Sequence, residues 1–322
     1  MCGIAGYIGK EQIDDGRVRR TLQLMKNRGP DHADYKVIPG DQGHIYLLHS
    51  RLSIIDLDPR SNQPFCLEHF SLIYNGEIYN YKEIREELVR RGVIFRTESD
   101  TEVLLRAYME YGEKCVDKFE GMWAFAIYDQ KKQALFLSRD RFAEKPLYYF
   151  EDGHGFYFAS EVKFIGALVE SPLRVNYDHL KRYLVNGYKS LYKTPETFFE
   201  GVREIPPATN MVLTFDGDAQ TYPYWRPQYR PQAMSMDDAI AGFRHHFLNS
   251  IKLRLRADVP LAFCLSGGVD SAAIVSAAAK SFEYDVHTFS IIDADERYNE
   301  RKNIQATLND LKCKHTIIET QK

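Results

Sequence analysis

Two textures within one chain predict an α+β domain followed by the first part of an α/β domain. Up to about residue 200, short strands and polar hairpin turns are interleaved with a few helical stretches, whereas from residue 237 long helices alternate with apolar strands. Between them Pro195, Pro206, Pro207, Pro223, Pro227 and Pro231 cluster. Prolines punctuate regular structure, so the chain divides into a domain over 1–200, a linker and packing hairpin over 201–236, and a second domain over 237–322.

The elements follow in order. Ile4–Ile8 is an apolar run set among Gly3, Gly6 and Gly9, and HIYLLHS (44–50) and SLIYNG (71–76) read as strands with polar tips. Ile84 and Leu88 stand at helical spacing within Tyr81–Arg91, with Asn80 as the N-cap and Gly92 at the stop. Ser99 and Glu102 form a capping-box pattern that opens a helix running to about Gly112. WAFAIYD (123–129) and ALFLSRD (134–140) make a hairpin across Gln130–Gln133, and LYYF with FYFAS makes a second across Asp152-Gly153. NMVLTFDGDAQTYPYW gives a hairpin around Gly217. Beyond it come helix Asp237–Arg256, strand Leu261–Leu265, helix Ser271–Ala279, strand 286–292, helix Tyr298–Leu311 and strand 315–318. Apolar strands alternating with helices imply a parallel sheet covered on both faces.

Composition narrows the functional classes. The 322 residues suffice for about two domains. A 44% apolar, 13% aromatic and 27% charged make-up excludes disorder. With 42 Lys+Arg against 45 Asp+Glu the formal charge is −3, which excludes nucleic-acid binding by bulk basicity. No apolar run approaches the ~20 residues of a membrane span, and MCGIAGYIGK lacks the features of a signal peptide, so the expected compartment is the cytoplasm. Five cysteines without a C-x-x-C pair argue against a disulfide framework and a zinc site, and Cys66, Cys115, Cys264 and Cys313 read as inert buried thiols.

Cys2 is different. The residue after Met1 has a small side chain, which suits removal of the initiator and would leave Cys2 as the amino terminus. Nucleophile and base then share one residue, because an α-amine with a pKa near ~7.7–8.0 has a neutral fraction able to take the thiol proton. No spacing singles out His32, His44, His49 or His69 as a partner, and each reads as a surface or packing residue. Taken singly, Asn75-Gly76 reads as a type I′ turn, Arg51 as a surface charge and Asp100 as a helix cap.

The motifs read together carry more. MCGIAG, RGPD (28–31), HSRLSIIDL (49–57), QPF (63–65), YNGEIYNY (74–81), SDTEVLL (99–105), GMWAFAIYD (121–129) and RDRFAEKPLYY (139–149) occur in an order and spacing that resemble class II glutamine amidotransferase domains. In particular they are similar to those of glutamine-dependent asparagine synthetases, over about residues 2–200. The resemblance implies an N-terminal-nucleophile αββα sandwich. It implies attack by Cys2 on the glutamine amide, with Asn75 and Gly76 as oxyanion donors. Arg51 would grip the α-carboxylate bidentately, and Asp100 with Glu77 would hold the α-ammonium. Carbonyl groups around Leu52 and Ile54 would line the pocket floor. One position departs from the family pattern, Ala143 where glycine is usual. If the backbone there has positive φ, alanine costs about 1 kcal/mol.

A second centre lies in LAFCLSGGVDSAAI (261–274), a strand, a Ser-Gly-Gly turn and a helix of small residues. Such a turn suits an anion, yet without a following Lys it is not the G-x-x-x-x-G-K-[ST] loop. SGGVDS resembles the PP-loop of N-type ATP pyrophosphatases. By that resemblance Ser266, Gly267, Gly268 and Ser271 would contact phosphates and Asp270 would bind Mg²⁺, while Leu265 and Ile291 meet the adenosine or serve simply as sheet core. ATP and Mg²⁺ enter as a substrate complex, with no tightly bound organic cofactor. Only about three strands follow the linker, so the chain reads as a fragment or as a shortened relative. The reading expected is a glutamine-hydrolysing asparagine synthetase with glutamine, ATP and aspartate as partners, no nucleic acid, no membrane, and a homodimer as one option. Two alternatives stand beside it: an amidotransferase acting on another carboxylate, such as a sugar acid in polysaccharide assembly, and a non-catalytic regulatory subunit of glutaminase fold.

Overall fold

In the computed structural model, the residues described are 1–320 apart from 41, 189–190, 192–193, 216–218, 294, 296 and 298. The chain divides into two units, Met1–Gln228 and Tyr229–Lys322. The first contains, in order, β1 (Gly3–Gly9), α1 (Asp15–Met25), β2 (His32–Gly40), β3 (Gly43–Arg51), β4 (Phe65–Leu67), β5 (Phe70–Ile78), α2 (Tyr81–Arg90) and α3 (Asp100–Tyr111). It continues with β6 (Gly121–Asp129), β7 (Ala134–Arg139), β8 (Tyr148–Glu151), β9 (Gly155–Ala159), α4 (Val162–Leu168), α5 (Tyr177–Asn186), β10 (Arg203–Glu204), β11 (Thr209–Thr214) and β12 (Ala219–Pro223).

Two six-stranded sheets result, with strand orders β10-β8-β9-β1-β3-β2 and β12-β11-β7-β6-β5-β4. Side chains alternate across a strand, so each sheet must bury two faces. Ile4 and Ile8 of β1, Leu47 of β3, Ile73 of β5 and Ala126 of β6 meet between the sheets. Their neighbours turn outward. Ala5, Tyr7 and Leu48 pack under α1 and α4 through Val18, Met25, Phe164 and Leu168. Tyr74, Phe125 and Ile127 pack under α2 and α3 through Ile84, Leu88, Val103 and Leu104. The layering is helix, sheet, sheet, helix.

Several local expectations change in the folded chain. The hairpin β11–β12 is no linker: β11 pairs along β7, so the first unit runs to Gln228. Its expected turn at Gly217 lies outside the described residues. Asn80 occupies the N-cap position of α2 without capping it. Its amide instead donates to Lys118 O at 2.9 Å and accepts from Glu120 N at 2.9 Å, tying the entry of β6 to α2. Ser99 does cap α3, but Glu102 does not close a capping box. Its buried carboxylate accepts from Arg96 N, Thr97 N and Thr97 Oγ1, fixing the turn before the helix. Cys115 is buried, whereas Cys66 and Cys264 are exposed because each stands between inward-facing neighbours on a short strand.

The second unit contains α6 (Met236–Arg254), β13 (Ala262–Cys264), α7 (Val269–Phe282), β14 (His287–Ile292), α8 (Arg301–Leu311) and β15 (Lys314–Glu319). The strands form a parallel sheet, β13-β14-β15, as the alternation of helix and strand requires. Leu265, Val275, Ala278, Val286, Ile292 and Ile304 form its core. Helix α7 starts two residues earlier than expected, which puts Asp270 in its first turn. The expected helix start at Tyr298 lies outside the described residues.

Candidate active site

Cys2 stands at the head of β1, whose register opposite β3 pairs Gly3 with Ser50 and so brings Cys2 beside Arg51 and Leu52. Its thiol donates to Leu52 O at 3.6 Å, and Leu52 N donates back to Sγ at 3.4 Å. Arg28 of the RGPD motif donates from Nε to Cys2 O at 2.8 Å and pairs with Glu161 at 3.0 Å. The nucleophile is thus anchored through its own backbone. Burial pushes the thiol pKa up, so the pocket by itself does not ionise it and a base is required.

Strand β5 supplies the opposite wall. Asn75 and Gly76 lie within the strand, opposite Ala124 and Trp123 of β6, and the type I′ turn reading is excluded. Ile73 faces the inter-sheet layer, so Asn75 and Glu77 point the same way, toward the sheet that carries Cys2. Backbone groups alternate as well. Tyr74 N donates to Gln63 Oε1 at 2.6 Å and Ile78 N donates to Asp100 Oδ2 at 3.0 Å, both away from β6. Gly76, midway between them, directs its N–H to the same side. A Cβ there would lie 2.2 Å from Met122 O and 2.8 Å from Trp123 Cα, so only glycine lets β5 and β6 pair at this point.

The Asn75 side chain is 1% exposed, yet neither amide atom has a hydrogen-bond partner. Buried amides are nearly always satisfied, and an orphan aimed into a cavity marks a ligand position. Cys2, Arg51, Leu52, Ile54, Asn75, Gly76, Glu77 and Asp100 all line one cavity. Every residue expected at the glutamine site is therefore brought together.

The charges deserve separate treatment. Asp100, at the first position of α3 after the Ser99 cap, accepts from Tyr74 OH and Ile78 N. Burial raises its pKa to about 6 despite those bonds. Burial, with Asp100 nearby, raises that of Glu77 to about 7. Two carboxyls held this far above their ordinary values favour a cationic ligand group between them. Arg51 is buried, not a surface charge. Its Nη1 donates to Asp58 O at 3.0 Å and Asn62 Oδ1 at 2.8 Å, and its Nη2 donates to Ile55 O and Asp56 O. Both terminal nitrogens are engaged by the 55–62 turn, which corrects the expectation of a guanidinium poised for a bidentate grip. His49 is a buried packing residue bonded to Tyr74 O, its pKa lowered by burial to about 3.

Further residues on the cavity wall went unassigned in the sequence: Gln63, Tyr74, Ser99, Thr101 and Lys145. Gln63 and Lys145 lie in the QPF and RDRFAEKPLYY motifs, which were signal enough to mark the segments though not the roles. Ala143 does adopt positive φ, at 55°, so the strain expected of an alanine at this position is present.

In the second unit the turn after β13 closes on itself. Ser271 Oγ lies 2.9 Å from Ser266 Oγ and accepts from Ser266 N at 3.1 Å, while Gly268 N donates to Ser266 Oγ at 3.3 Å. Gly267 N donates to Glu300 Oε2 at 3.0 Å, so a carboxylate already engages a loop amide. Asp270 is exposed in the first turn of α7. Leu265 packs in the sheet core, as in its simpler reading, whereas Ile291 is 72% exposed.

Comparison with known proteins bears on both units. A family model described as glutamine amidotransferase domain matches residues 1–225. The chain belongs to the glutamine amidotransferase family. A second model, described as asparagine synthase, matches residues 242–322. Asparagine synthetase (glutamine-hydrolyzing) 3 of Bacillus subtilis is 35% identical over 95% of the chain and 50% of its own length. A putative asparagine synthetase (glutamine-hydrolyzing) 2 of Methanocaldococcus jannaschii is 33% identical over 98% of the chain and 64% of its own length. The chain thus spans about half to two-thirds of these relatives. Among solved structures, glutamine phosphoribosylpyrophosphate amidotransferase from B. subtilis superposes with a TM-score of 0.51 at 15% identity, covering 98% of this chain and 65% of that one. At that identity the likeness speaks for the fold alone. Among the described residues no helix is long and apolar enough to cross a membrane.

Proposed function

We propose that the first unit hydrolyses glutamine at Cys2 and that the ammonia serves an ATP-dependent amidation of aspartate. Once Met1 is removed, the α-amine of Cys2 takes the thiol proton and the thiolate attacks the glutamine Cδ. The oxyanion accepts from Asn75 Nδ2 and Gly76 N. Collapse breaks the C–N bond, the ammonium returns its proton to the departing nitrogen, and water then hydrolyses the thioester to glutamate. Asp100 and Glu77 receive the substrate α-ammonium. Arg51 supplies charge for the α-carboxylate as one of its carbonyl partners on the 55–62 turn gives way. The observation that carries this reading is the unpartnered, buried Asn75 amide in the same cavity as the Cys2 thiol.

For the second unit we infer an ATP site on the Ser266–Ser271 turn. Ser266, Gly267, Gly268 and Ser271 would engage phosphate oxygens, Asp270 the Mg²⁺ of the substrate complex, and Leu265 and Ile291 the nucleoside side of the sheet. The whole reaction is aspartate, ATP, glutamine and water giving asparagine, AMP, pyrophosphate and glutamate, in the cytoplasm where these metabolites meet. The asparagine synthase match over 242–322 supports the acceptor. Two assays test the proposal. A glutamine-like electrophile should label Cys2, and Cys2→Ala should abolish glutamate release; labelling elsewhere or equal rates would overturn the first half. Exchange of labelled pyrophosphate into ATP should depend on aspartate, and exchange with a different acid alone would replace the acceptor.

A further inference from the structure

We propose that the buried ammonium of Lys145 keeps the terminal amine of Cys2 neutral, and so able to act as a base, once Met1 has left. The inference rests on the glutaminase reading above and adds to it a positioning residue for the base.

The loop that carries Lys145 is built with unusual thoroughness. The Asp140 carboxylate accepts four backbone N–H bonds, from Trp123 at 3.2 Å, Phe142 at 3.0 Å, Glu144 at 2.9 Å and Lys145 at 2.9 Å. Arg139 braces the same loop from below, donating to Lys145 O at 2.7 Å and Ala143 O at 3.2 Å. Ala143 adopts its left-handed conformation inside it. The outcome is a lysine 4% exposed, on the wall of the cavity that holds Cys2. Among the described residues its Nζ has no carboxylate within ion-pair distance, and its hydrogen-bond acceptor is the thioether of Met1 at 3.2 Å. A thioether is a weak acceptor, and an ammonium buried without a carboxylate partner is destabilising.

Loss of Met1 removes that acceptor and creates an α-amine on Cys2, which lines the same cavity as the lysine. Two like charges in a desolvated pocket are not both retained; burial lowers the lysine as well, with Glu77 opposing that, and the amine, which starts from ~7.7–8.0 against ~10.4 for lysine, gives up its proton first. The neighbouring charges fit this division. Arg28, from the turn after α1, adds to the positive side but is compensated by Glu161. Arg51 at the end of β3 is a second cation. Glu77 on β5, Asp100 at the head of α3 and Glu144 on the lysine's own loop oppose it. In the chain with Met1 in place, burial already lowers the terminal amine; the Cys2 thiol raises it, Arg28 and Lys145 lower it further, and Glu77 again works the other way.

The test is an NMR titration of the processed protein in the Cys2→Ser background, 13C-labelled on serine, where the side chain at position 2 no longer titrates. The α-carbon shift should report an amine midpoint below the ordinary range. Lys145→Met should raise that midpoint by about one unit or more, while Lys145→Arg leaves it low. The acid limb of glutaminase kcat in the Cys2 enzyme, measured at saturating glutamine where Glu77 and Asp100 already hold the substrate, should move to higher pH in Lys145→Met. An ordinary midpoint with Lys145 intact overturns the proposal even if Lys145→Met does not fold, and so does a midpoint that Lys145→Met leaves unmoved. Persistence of glutaminase in Cys2→Ala would instead remove the nucleophile, a result distinguishable from either.

Discussion

Replacement of Asn75 by alanine separates catalysis from stability, because the structure assigns its amide no work in the resting fold. Both amide atoms are buried and unpartnered, a condition that destabilises by about 1–3 kcal/mol for a buried polar group. Asn75→Ala relieves that penalty and leaves a small cavity of comparable cost, so folding stability should change by no more than about 1 kcal/mol. Glutamine turnover should respond very differently. Loss of one oxyanion donor lowers kcat by about 10²–10³, equivalent to about 2.7–4 kcal/mol of barrier, with KM little changed. Urea unfolding and steady-state glutamate release, measured on the same preparation, give both numbers. A kcat within tenfold of wild type in folded protein would show that Asn75 does not face the oxyanion. A stability loss above about 3 kcal/mol would show that its amide is satisfied in the folded state after all.

Further outcomes follow from the same geometry. Asp100 holds its proton more tightly folded (pKa about 6) than unfolded (3.8), so stability declines as pH rises from about 4 to about 6; Asp100→Asn should flatten that decline in urea melts at several pH values while lowering glutamine kcat/KM at least a hundredfold. Because Glu77 and Asp100 must be ionised to receive an ammonium, wild-type kcat/KM for glutamine should fall as pH drops below about 7, and a flat profile to pH 5 would contradict their role. Gly76→Ala sets a methyl 2.2 Å from Met122 O, so β5 and β6 must part; a loss of about 1–3 kcal/mol or more in thermal unfolding, with glutaminase abolished, is expected. Ala143→Gly removes a non-glycine residue from φ 55° and should raise stability in urea by up to about 1 kcal/mol. Glu300→Gln takes a negative charge off the Gly267 amide, and calorimetry with pyrophosphate should show tighter binding than in wild type.

Much of the architecture is legible in the sequence. The strands of the first unit and the alternation beyond residue 237 are local signals, set by turn chemistry and by side-chain period. The eight residues expected at the glutamine site were found through motif order, and the fold gathers all of them on one cavity. What failed was local logic applied to residues with tertiary employment. Asn80 and Glu102 carry helix-start signatures, yet their side chains satisfy backbone groups of other segments. Asn75-Gly76 has the composition of a turn and lies mid-strand, because the pairing of β5 with β6 admits only glycine opposite Trp123. Arg51 is tied into the 55–62 turn by carbonyls that no spacing rule could assign to it.

The sequence by itself determined which side chains are available for the proposed chemistry and in what order they occur, since a thiol, an amide and two carboxyls are matters of residue type. Only the tertiary structure decided their charge states and freedom. Burial sets whether Asp100 is protonated near pH 6, whether Asn75 keeps an open amide, and that Lys145 stands on the same wall as Cys2. Desolvation and proximity arise when segments distant in the chain share one dry cavity, and neither is a property of any stretch of sequence.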